Sequence, residues 1–310
     1  WPTSSAFMRL IDPPTSDYAA SKLELIYLKD TQDPQLKDCD ICIVQRIAVR
    51  EDAAADLLLE RLERLGIPLF VDTDDAFSFH EQHKADDLVL QRLMGRAREV
   101  WFSTQTLADV HKDLQVPKRV IQNNLDPRFW SNYRKPVSTS FDAPKVRFLY
   151  MGTVTHEEDF LSVLPAFERL GEEMPERFEL TLVGAVRKPP IRSWLKQMMP
   201  PEAEGSYPRF VRWLVNSGQY DVGIAPLTNN TFNSAKSDIK ILDYAALGLV
   251  PMVSEGRAYT KAIADGLAIG CKPDPVDWFE KAADIIRGRD PLPPSDAPFF
   301  VHPEWQTKQR

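Results

Sequence analysis

The stretch YDVGIAPLTNNTFNSAKSDIKILDYAALGLVPMVSE, residues 220–255, decides the fold class of this 310-residue chain. Its apolar spacing predicts a strand over Val222–Ala225, a helix over residues 237–247 that stops at Gly248, and a second strand over Val250–Ser254. A buried strand, a helix and another buried strand form the βαβ unit of a parallel sheet covered on both faces. The stretch therefore indicates an α/β protein.

The same alternation continues on both sides of this unit. Predicted strands cover residues 23–28, 41–45, 68–72, 100–103, 119–122, 146–151, 178–183 and 267–269. Predicted helices cover residues 51–66, 86–98, 106–114, 157–171, 210–217, 258–265 and 276–287, with a short one around Trp194. Since strands and helices take turns almost throughout, we expect parallel sheets along the whole chain.

One segment interrupts the alternation and divides the chain. Residues 131–145, SNYRKPVSTSFDAPK, are polar, rich in serine and proline, and lack regular spacing, as a domain linker does. We therefore expect two Rossmann-like domains, 1–135 and 136–290, facing each other across a cleft, with a C-terminal tail, 291–310, that packs back on the first. Ligands of such sheets bind beyond the C-terminal ends of the strands.

Composition and charge exclude several classes of protein. Hydrophobic residues make up 43% of the chain and charged residues 27%, which is typical of a globular protein. With 45 acidic and 38 basic residues the net charge is −7, which argues against nucleic-acid binding. The apolar runs are too short to cross a bilayer, and no secretory signal begins the chain. Because the first residue is Trp1 and not Met, we expect a fragment of a longer protein.

The three cysteines, Cys39, Cys42 and Cys271, are too few for a disulfide scaffold and fit a reducing cytosol. Cys39-Asp-Ile-Cys42 has the spacing of a redox or zinc motif, but strand alternation sends the two sulfurs to opposite faces. No second cysteine pair exists to complete a zinc site. We interpret the cysteines as structural.

The predicted helix at 237–247 is apolar except for one charged stripe. Lys236, Lys240 and Asp243 lie within about 60° of one another at helical spacing. Two cations near a helix N-terminus suit a diphosphate, and a carboxylate two turns later suits the two hydroxyls of a ribose. The alternative is an ordinary amphipathic helix with a Lys240–Asp243 surface ion pair, and Lys236 precedes the helix if Ser237 is its N-cap.

DVGIAPL and KSDIKILDYAALGLVPMVSE resemble the C-terminal half of GT-B glycosyltransferases, and are most similar to the retaining family 4 of the bacterial cell-surface polysaccharide type. Asp243 falls on the second glutamate of that family's E-x7-E motif, which binds the donor ribose. The first glutamate falls on Ala235, where this sequence departs from the motif. Gly248 and Pro251 match the G-x-P that follows it.

VRFLYMGTVTHEEDF resembles the opening strand and phosphate-facing loop of the second domain in the same family. The resemblance implies that Gly152 and Thr153 let the donor diphosphate approach the backbone, and that His156 faces it. A capping box from Thr155 to Glu158 would start the following helix and point its free N–H groups at the anion. The alternative for His156 is a solvated histidine at a helix start.

The loop after VRFLYMG lacks the Arg and Lys that many members of the family carry there. Lys236, with Lys240 and with Arg187 or Lys188 in the loop after FELTLVGA, would then neutralise the phosphates. The resemblance implies a donor site of six residues: Gly152, Thr153, Lys236, Lys240, Asp243 and Arg187.

PLFVDTDDAF places Asp72, Asp74 and Asp75 at the C-terminal end of a predicted strand. Similar acidic strings occur in bacterial relatives of the family, which implies an acceptor-side or catalytic role for the three carboxylates. Two rival families use such a string: GT-A glycosyltransferases, which hold a metal with D-x-D, and haloacid-dehalogenase-type phosphatases. Helix capping with solvation is the plain alternative. Histidines 80, 83 and 111 are candidate bases or metal ligands by residue type.

Three further stretches, SSAFMRL, VWFSTQTLADVHKDL and RVIQNNLDPRFW, also resemble the first domain of the family. SSAFMRL matches the segment after the first strand, where an Arg often follows, so we expect that strand to lie upstream of Trp1. The Asn-Asn turn and Asp-Pro of the last stretch are mainly structural features.

The resemblance implies transfer of a sugar from a nucleotide-diphosphate-sugar donor to a hydroxyl acceptor, with retention and without a metal or other cofactor. The expected partners are the sugar nucleotide and a glycan or lipid-linked acceptor, in the cytoplasm or as a peripheral protein at the inner membrane face. Three other functions stay open: a GT-B-like nucleotide-sugar epimerase, a metal-dependent phosphatase, and a non-catalytic nucleotide- or glycan-binding domain.

Overall fold

The computed structural model confirms the α/β class and the parallel sheets predicted from the alternation. The described residues are 3–79, 83–126, 130, 145–153, 156–201 and 205–289. By their internal contacts they divide into two compact units. The N-terminal unit comprises Met8–Asn123 with Asn230–Ser237, and the C-terminal unit comprises Trp1–Phe7, Asn124–Asn229 and Asp238–Arg310.

Parts of the predicted domain organisation fall outside the described residues. Nearly the whole linker at 131–145, the boundary between 135 and 136, and the tail at 291–310 are among them. These domain limits therefore stay predictions.

The N-terminal unit has a parallel sheet whose described strands are hydrogen-bonded in the order β1-β2-β3-β4. They are β1 (Cys42–Gln45), β2 (Leu69–Thr73), β3 (Glu99–Phe102) and β4 (Lys118–Val120). The connecting helices are α1 (Asp52–Leu65), α2 (Lys84–Arg96) and α3 (Gln105–Val110). Short helical turns of this unit lie at Pro13–Thr15, Asp17–Ala20, Pro34–Asp38, Phe77–Phe79 and Thr231–Ser234, Phe7–Ile11 lies at its boundary with the C-terminal unit, and Ser4–Ala6 belongs to the C-terminal unit.

Local sequence explains where these elements start and stop. Helix α1 ends at Gly66, whose φ of 68° is the left-handed conformation that glycine adopts without steric penalty. Helix α3 begins after Thr104, whose hydroxyl accepts a 3.1 Å hydrogen bond from the Leu107 N–H. Val71 and Phe102, from the middle strands, are fully buried in the core beneath the helices.

The C-terminal unit is built on a second parallel sheet, whose described strands run in the order β10-β9-β8-β5-β6-β7. They are β5 (Val146–Gly152), β6 (Phe178–Gly184), β7 (Leu195–Met198), β8 (Val222–Ala225), β9 (Val250–Ser254) and β10 (Ile269–Cys271). Its helices are α4 (Glu157–Glu173), α5 (Tyr207–Asn216), α6 (Ile239–Ala246), α7 (Thr260–Ala264) and α8 (Pro275–Ile286).

This strand order contains a topological switch point between β5 and β8. The chain leaves β5 toward β6 on one side of the sheet and leaves β8 toward β9 on the other. The two strands pair only through Phe148 with Val222 and Leu149 with Gly223. Such a switch point opens a crevice outside the carboxyl ends of the strands, where ligands of open α/β sheets bind.

Tyr244, on α6, separates β5 from β8 beyond this short register. Its hydroxyl donates a 2.7 Å hydrogen bond to the carbonyl oxygen of Ile224 and accepts one from the backbone N–H of Met151. The ring lies against Gly223 so closely that a Cβ there would come within 2.3 Å of it. Gly223 therefore provides the room that the tyrosine needs.

Two predicted elements are wrong. Residues 23–28 do not form a strand, because this extended segment pairs with no neighbour in the sheet and leaves Leu23 and Tyr27 more than half exposed. The helix predicted around Trp194 is replaced by the edge strand β7, which follows this buried tryptophan. The Trp194 ring packs 5.4 Å from that of Phe178 on β6, so hydrophobic packing holds the chain beside the sheet.

Candidate functional site

The loop after β5 brings Gly152, Thr153 and His156 to the switch point. His156 is the N-cap residue of α4, yet its side chain makes no capping hydrogen bond. Its imidazole lies over Gly152 instead, and a Cβ on that glycine would come within 3.3 Å of His156 Cδ2. Thr153 is exposed and its carbonyl accepts a 3.0 Å hydrogen bond from the His156 N–H. The structure thus groups these three predicted residues, while Thr155 lies outside the described part.

Asp159 is a buried carboxylate in the first turn of α4 that the sequence analysis did not single out. Its Oδ2 lies 3.0 Å from His156 Nδ1, and its Oδ1 accepts hydrogen bonds from the backbone N–H and the hydroxyl of Thr228. Burial alone would raise the pKa of Asp159, but the hydrogen bonds from His156 and Thr228 hold the pKa below its ordinary value. The carboxylate is thus charged at neutral pH and joins the loop after β5 to the loop after β8.

Asp243 is a second nearly buried carboxylate, on α6. Its side chain is 13% exposed, and its Oδ2 lies 3.9 Å from Nζ of Lys240, which is 25% exposed. Desolvation raises the pKa of Asp243 to about 6, although Lys240 opposes the rise. A carboxylate held in this state is ready to accept hydrogen bonds from a ligand, because no strong ion pair offsets its desolvation.

Tyr259 links these carboxylates electrostatically. The ring is buried before α7, and burial first, then the charges of Asp159, Asp238 and Asp243, raises the pKa of its phenol. The carboxylates of Asp159, in the first turn of α4, and of Asp243, on α6, are therefore both near this phenol in the C-terminal unit.

The prediction that Lys236 shares a helical stripe with Lys240 and Asp243 is wrong. Helix α6 begins at Ile239, after Asp238, so Lys236 precedes it, and its ammonium lies 4.6 Å from the centre of the Phe232 ring. Residues Thr231–Ser234 form a separate short helix of the N-terminal unit, so Lys236 lies between that helix and α6.

Ala235 is the C-cap of this short helix and anchors it in the N-terminal unit. It is 1% exposed within the apolar core of the N-terminal unit, and its carbonyl accepts a 2.9 Å hydrogen bond from the Thr104 hydroxyl. Asn123 donates a further 2.8 Å hydrogen bond to the hydroxyl of Ser237. The position that matches the first glutamate of the E-x7-E motif is thus a buried anchor of this segment.

Arg187 follows β6, and its side chain is exposed. Its backbone N–H donates a 3.1 Å hydrogen bond to Glu157, in the first turn of α4. Glu157, Glu158 and Asp159 make that first turn acidic. The helix N-terminus therefore already has negative charge next to its N–H groups, and a phosphate there needs cations to offset the repulsion.

Asp72 forms a buried ion pair inside the N-terminal unit. Both of its oxygens accept hydrogen bonds from Arg9, the shortest at 2.5 Å, and the two side chains are 1% and 3% exposed. Arg9 also donates to the Ile121 carbonyl and to the Asn123 side chain. The contacts of Asp72 join the N-terminal segment to the ends of β2 and β4, and its catalytic role stays a prediction.

Asp74 and Asp75 share one cation that the sequence prediction missed. The Arg46 guanidinium lies 3.4 Å from Asp74 and 2.6 Å from Asp75, and it also stacks 5.0 Å from the centre of the Phe77 ring. Arg46 has a φ of 55°, which is uncommon for a residue with a side chain. Arg46 thus offsets the repulsion within the acidic string that the sequence left unexplained.

The two described candidate histidines of the N-terminal unit, His83 and His111, contact neighbouring side chains of that unit. His111 is buried and stacks on Phe102, and desolvation lowers the pKa of its imidazole to about 4. His83 contacts Asp86 at 3.0 Å, and His80 lies outside the described residues. Within the described ranges no three His, Cys, Asp or Glu side chains come together as a metal site.

The cysteines agree with their structural interpretation. Cys42, on β1, is buried, and desolvation raises the pKa of its thiol to about 11. Cys39 is partly exposed, and none of the three is in a disulfide in the described chain. Nor does any helix in the described ranges combine the length and apolarity needed to span a bilayer.

Comparison with known proteins identifies the architecture. No model of a known protein family matches the chain, and no curated protein matches it in sequence. Solved structures do match: the trehalose-6-phosphate synthase OtsA is 13% identical over 83% of this chain and 67% of its own, with a TM-score of 0.54. Anabaena HepE, solved with UDP and glucose, is 11% identical over 84% of this chain and 73% of its own, with a TM-score of 0.57.

A third structure with the same architecture is the UDP-forming α,α-trehalose-phosphate synthase from Burkholderia xenovorans, solved with glucose-6-phosphate. It is 11% identical over 79% of this chain and 65% of its own, with a TM-score of 0.53. These likenesses confirm the predicted GT-B fold with two Rossmann-like domains.

Proposed function

We propose that this chain is a glycosyltransferase that moves a sugar from a nucleotide-diphosphate-sugar donor to a hydroxyl acceptor. The carrying observation is the nearly buried carboxylate of Asp243 on α6, with a pKa raised to about 6 by desolvation. A carboxylate desolvated to this degree is destabilising unless a ligand binds it. The two adjacent hydroxyls of a ribose match its paired acceptor oxygens.

The loop after β5 supports a diphosphate next to that ribose. Gly152 carries no side chain, and His156 takes up the space where a Cβ would lie, which places the imidazole beside the end of β5 at the switch point. Because three carboxylates occupy the first turn of α4, the helix N-terminus alone is a poor anion site. We propose that His156, Lys240 and Arg187 provide the compensating cations.

In the proposed reaction the bond between the anomeric carbon and the phosphate oxygen breaks, and its electron pair leaves with the nucleoside diphosphate. The acceptor oxygen forms the new bond to the anomeric carbon, and its hydroxyl proton is released to the phosphate or to solvent. Stabilisation of the diphosphate charge is the main catalytic task, and basic side chains with preorganised N–H groups perform it without a metal. We propose retention of configuration from the resemblance to the retaining family 4.

On the acceptor side we propose a role for the acidic string of the N-terminal unit. Asp74 and Asp75 are partly exposed and share Arg46, whereas Asp72 is enclosed by Arg9. Asp74 and Asp75 are therefore the better placed of the three to accept hydrogen bonds from an acceptor. The resemblance to the polysaccharide type leads us to propose a glycan or lipid-linked acceptor, in the cytoplasm or at the inner membrane face.

The reaction is tested by incubating the chain with UDP-, GDP- and dTDP-sugars and a set of glycan acceptors, and by measuring release of the nucleoside diphosphate. We expect acceptor-dependent release that chelator does not abolish. Asp243→Ala should greatly reduce it, whereas the matched control Asp265→Ala, in an exposed pair with Lys261, should not. Equal activity in Asp243→Ala and the control contradicts the assignment.

One observation favours a second candidate, a non-catalytic nucleotide- or glycan-binding domain. Where the E-x7-E motif has its first glutamate, the chain has Ala235, buried at 1% exposure in the N-terminal unit. Binding of a nucleoside diphosphate without turnover of any sugar donor would select this candidate. Conversion of the sugar nucleotide without an acceptor would indicate an epimerase.

A further inference from the structure

We propose that Asp159 is a positioning residue for sugar transfer: it fixes the imidazole of His156 at the switch point and ties the two loops of that crevice together. This inference rests on the proposed function, and it adds a residue that the family resemblance does not provide. Asp159 touches no substrate in this assignment. It acts through His156 and Thr228.

The two oxygens of Asp159 have separate partners. Oδ2 lies 3.0 Å from His156 Nδ1, while Oδ1 accepts from the Thr228 N–H at 2.8 Å and from its hydroxyl at 2.9 Å. His156 precedes α4 and belongs to the loop after β5, whereas Thr228 follows β8. The Asp159 carboxylate, 5% exposed, thus bridges the segments that follow β5 and β8. These are the two strands between which the strand order reverses.

The His156 ring is restrained on several sides although it lies at the surface of the crevice. Nδ1 faces Asp159, and the Cβ, Cγ and Cδ2 atoms lie against Gly152, where a Cβ would come within 3.3 Å of Cδ2. The Tyr150 hydroxyl also donates a 2.9 Å hydrogen bond to the His156 carbonyl oxygen. The side chain is still 20% exposed and does not cap its own helix. Such a restrained, accessible imidazole is preorganised for a ligand.

The chemistry follows from which ring nitrogen carries the proton. A carboxylate at Nδ1 selects the tautomer with hydrogen on Nδ1, so that Nε2 accepts in the neutral ring and donates in the protonated ring. The protonated ring can then donate from Nε2 to the departing diphosphate while the sugar–phosphate bond breaks. The imidazole keeps its proton in this step, and the proton that is released comes from the acceptor hydroxyl.

The first test needs no substrate, and a variant is used only to assign the resonances. In ligand-free protein labelled with ¹⁵N-histidine, the His156 resonances are identified by their loss in His156→Gln. At a pH where the ring is neutral, we expect the ¹⁵N shifts of a ring protonated at Nδ1. Shifts of a ring protonated at Nε2 would overturn the assignment, because Asp159 would then not hold the tautomer.

The second test separates positioning from a merely structural role. We expect His156→Ala to lower kcat about 100-fold and Asp159→Asn about 10-fold, with Asp159→Asn having no further effect in the His156→Ala background. The matched control is Asp221→Asn, which removes a buried carboxylate that holds Arg147 in the same unit. It should lower the unfolding temperature and leave kcat unchanged.

Independent, multiplying losses for Asp159→Asn and His156→Ala would overturn the inference and leave Asp159 a stability residue. If the wild-type chain binds diphosphate without turnover, the dissociation constant of the diphosphate is measured for Asp159→Asn, His156→Ala and the double variant. Losses of affinity that do not multiply support the inference, and losses that multiply overturn it. If it binds none, the proposed function has failed, and the inference fails with it. The tautomer measurement still shows whether Asp159 orients the ring.

Discussion

Asp243→Asn is expected to stabilise the C-terminal unit at neutral pH while it weakens nucleotide binding. The carboxyl is 13% exposed, and desolvation raises its pKa from 3.8 to about 6 despite Lys240. The folded chain therefore holds this proton to a higher pH than the unfolded chain, so stability is lost as the pH rises from 3.8 to about 6. This rise in the pKa of Asp243 corresponds to roughly 3 kcal/mol of folding free energy lost by pH 7. The neutral amide of Asp243→Asn avoids that loss.

The assay is urea unfolding of the wild type and the variant, at about pH 4 and about pH 7.5, followed by tryptophan fluorescence. The urea midpoints should nearly coincide at the lower pH, and that of the variant should be higher at the upper pH. The control Asp265→Asn changes a carboxyl that is 42% exposed. It should shift the free energy of unfolding by no more than about 0.5 kcal/mol at either pH.

Two results would refute this reasoning. A variant that is less stable at about pH 7.5 would show that Asp243 is stabilised in the folded chain by stronger interactions than Lys240. A stability difference that does not change with pH would show that titration of the carboxyl is not its source. In either case a ligand would not be needed to explain the buried charge.

Three further predictions concern stability and reactivity. Gly223→Ala should lower the free energy of unfolding by about 1–3 kcal/mol in a urea titration, because the added methyl group meets the Tyr244 ring. An unchanged urea midpoint would contradict the close packing of Tyr244 on Gly223. Arg9→Met should cost about 3–5 kcal/mol by leaving Asp72 buried without its cation, which calorimetry checks, and the double variant with Asp72→Leu should recover part of the loss. Cys42 should resist alkylation in the folded chain at pH 8, since its thiol pKa is about 11; rapid modification would show that β1 opens locally.

The alternation of apolar runs predicted most of the fold because hydrophobic spacing reports directly which face of an element is buried. Val222–Ala225 and Val250–Ser254 are strands at the predicted limits. The strand predicted at 23–28 failed because β-propensity cannot show whether a neighbouring strand is there to pair with it. Leu195–Met198 was missed for the opposite reason, since its place at the sheet edge depends on tertiary packing around Trp194.

The sequence indicated which residues lie together where a single element carries them, and it missed contacts made where two elements meet. The grouping of Gly152, Thr153 and His156 follows from a single strand and its loop, which spacing describes well. Arg46 and Asp159 were not predicted, because each acts on groups brought close by the fold. One available signal was the three successive acids after position 156, which exceed what a capping box needs.

Lys236 shows a different limit of the sequence. Helical spacing places it on one face with Lys240, but helix α6 starts only at Ile239. The residues just before the helix pack in the N-terminal unit through Ala235, whose burial the sequence gave no reason to expect. Alanine is a good helix former, and its spacing does not show that Ala235 ends the short helix Thr231–Ser234 and does not continue into α6.

The most direct test of the central claim is a thermal-shift measurement of the wild-type chain with UDP, GDP, dTDP and CMP, with magnesium and with chelator. We expect one nucleoside diphosphate to raise the unfolding temperature in the presence of chelator, with about 2.7 kcal/mol of added stability at 100 times its dissociation constant. Asp243→Ala should abolish that shift. No shift with any nucleotide, or a shift only with magnesium, would contradict a metal-independent nucleotide-sugar site in this fold.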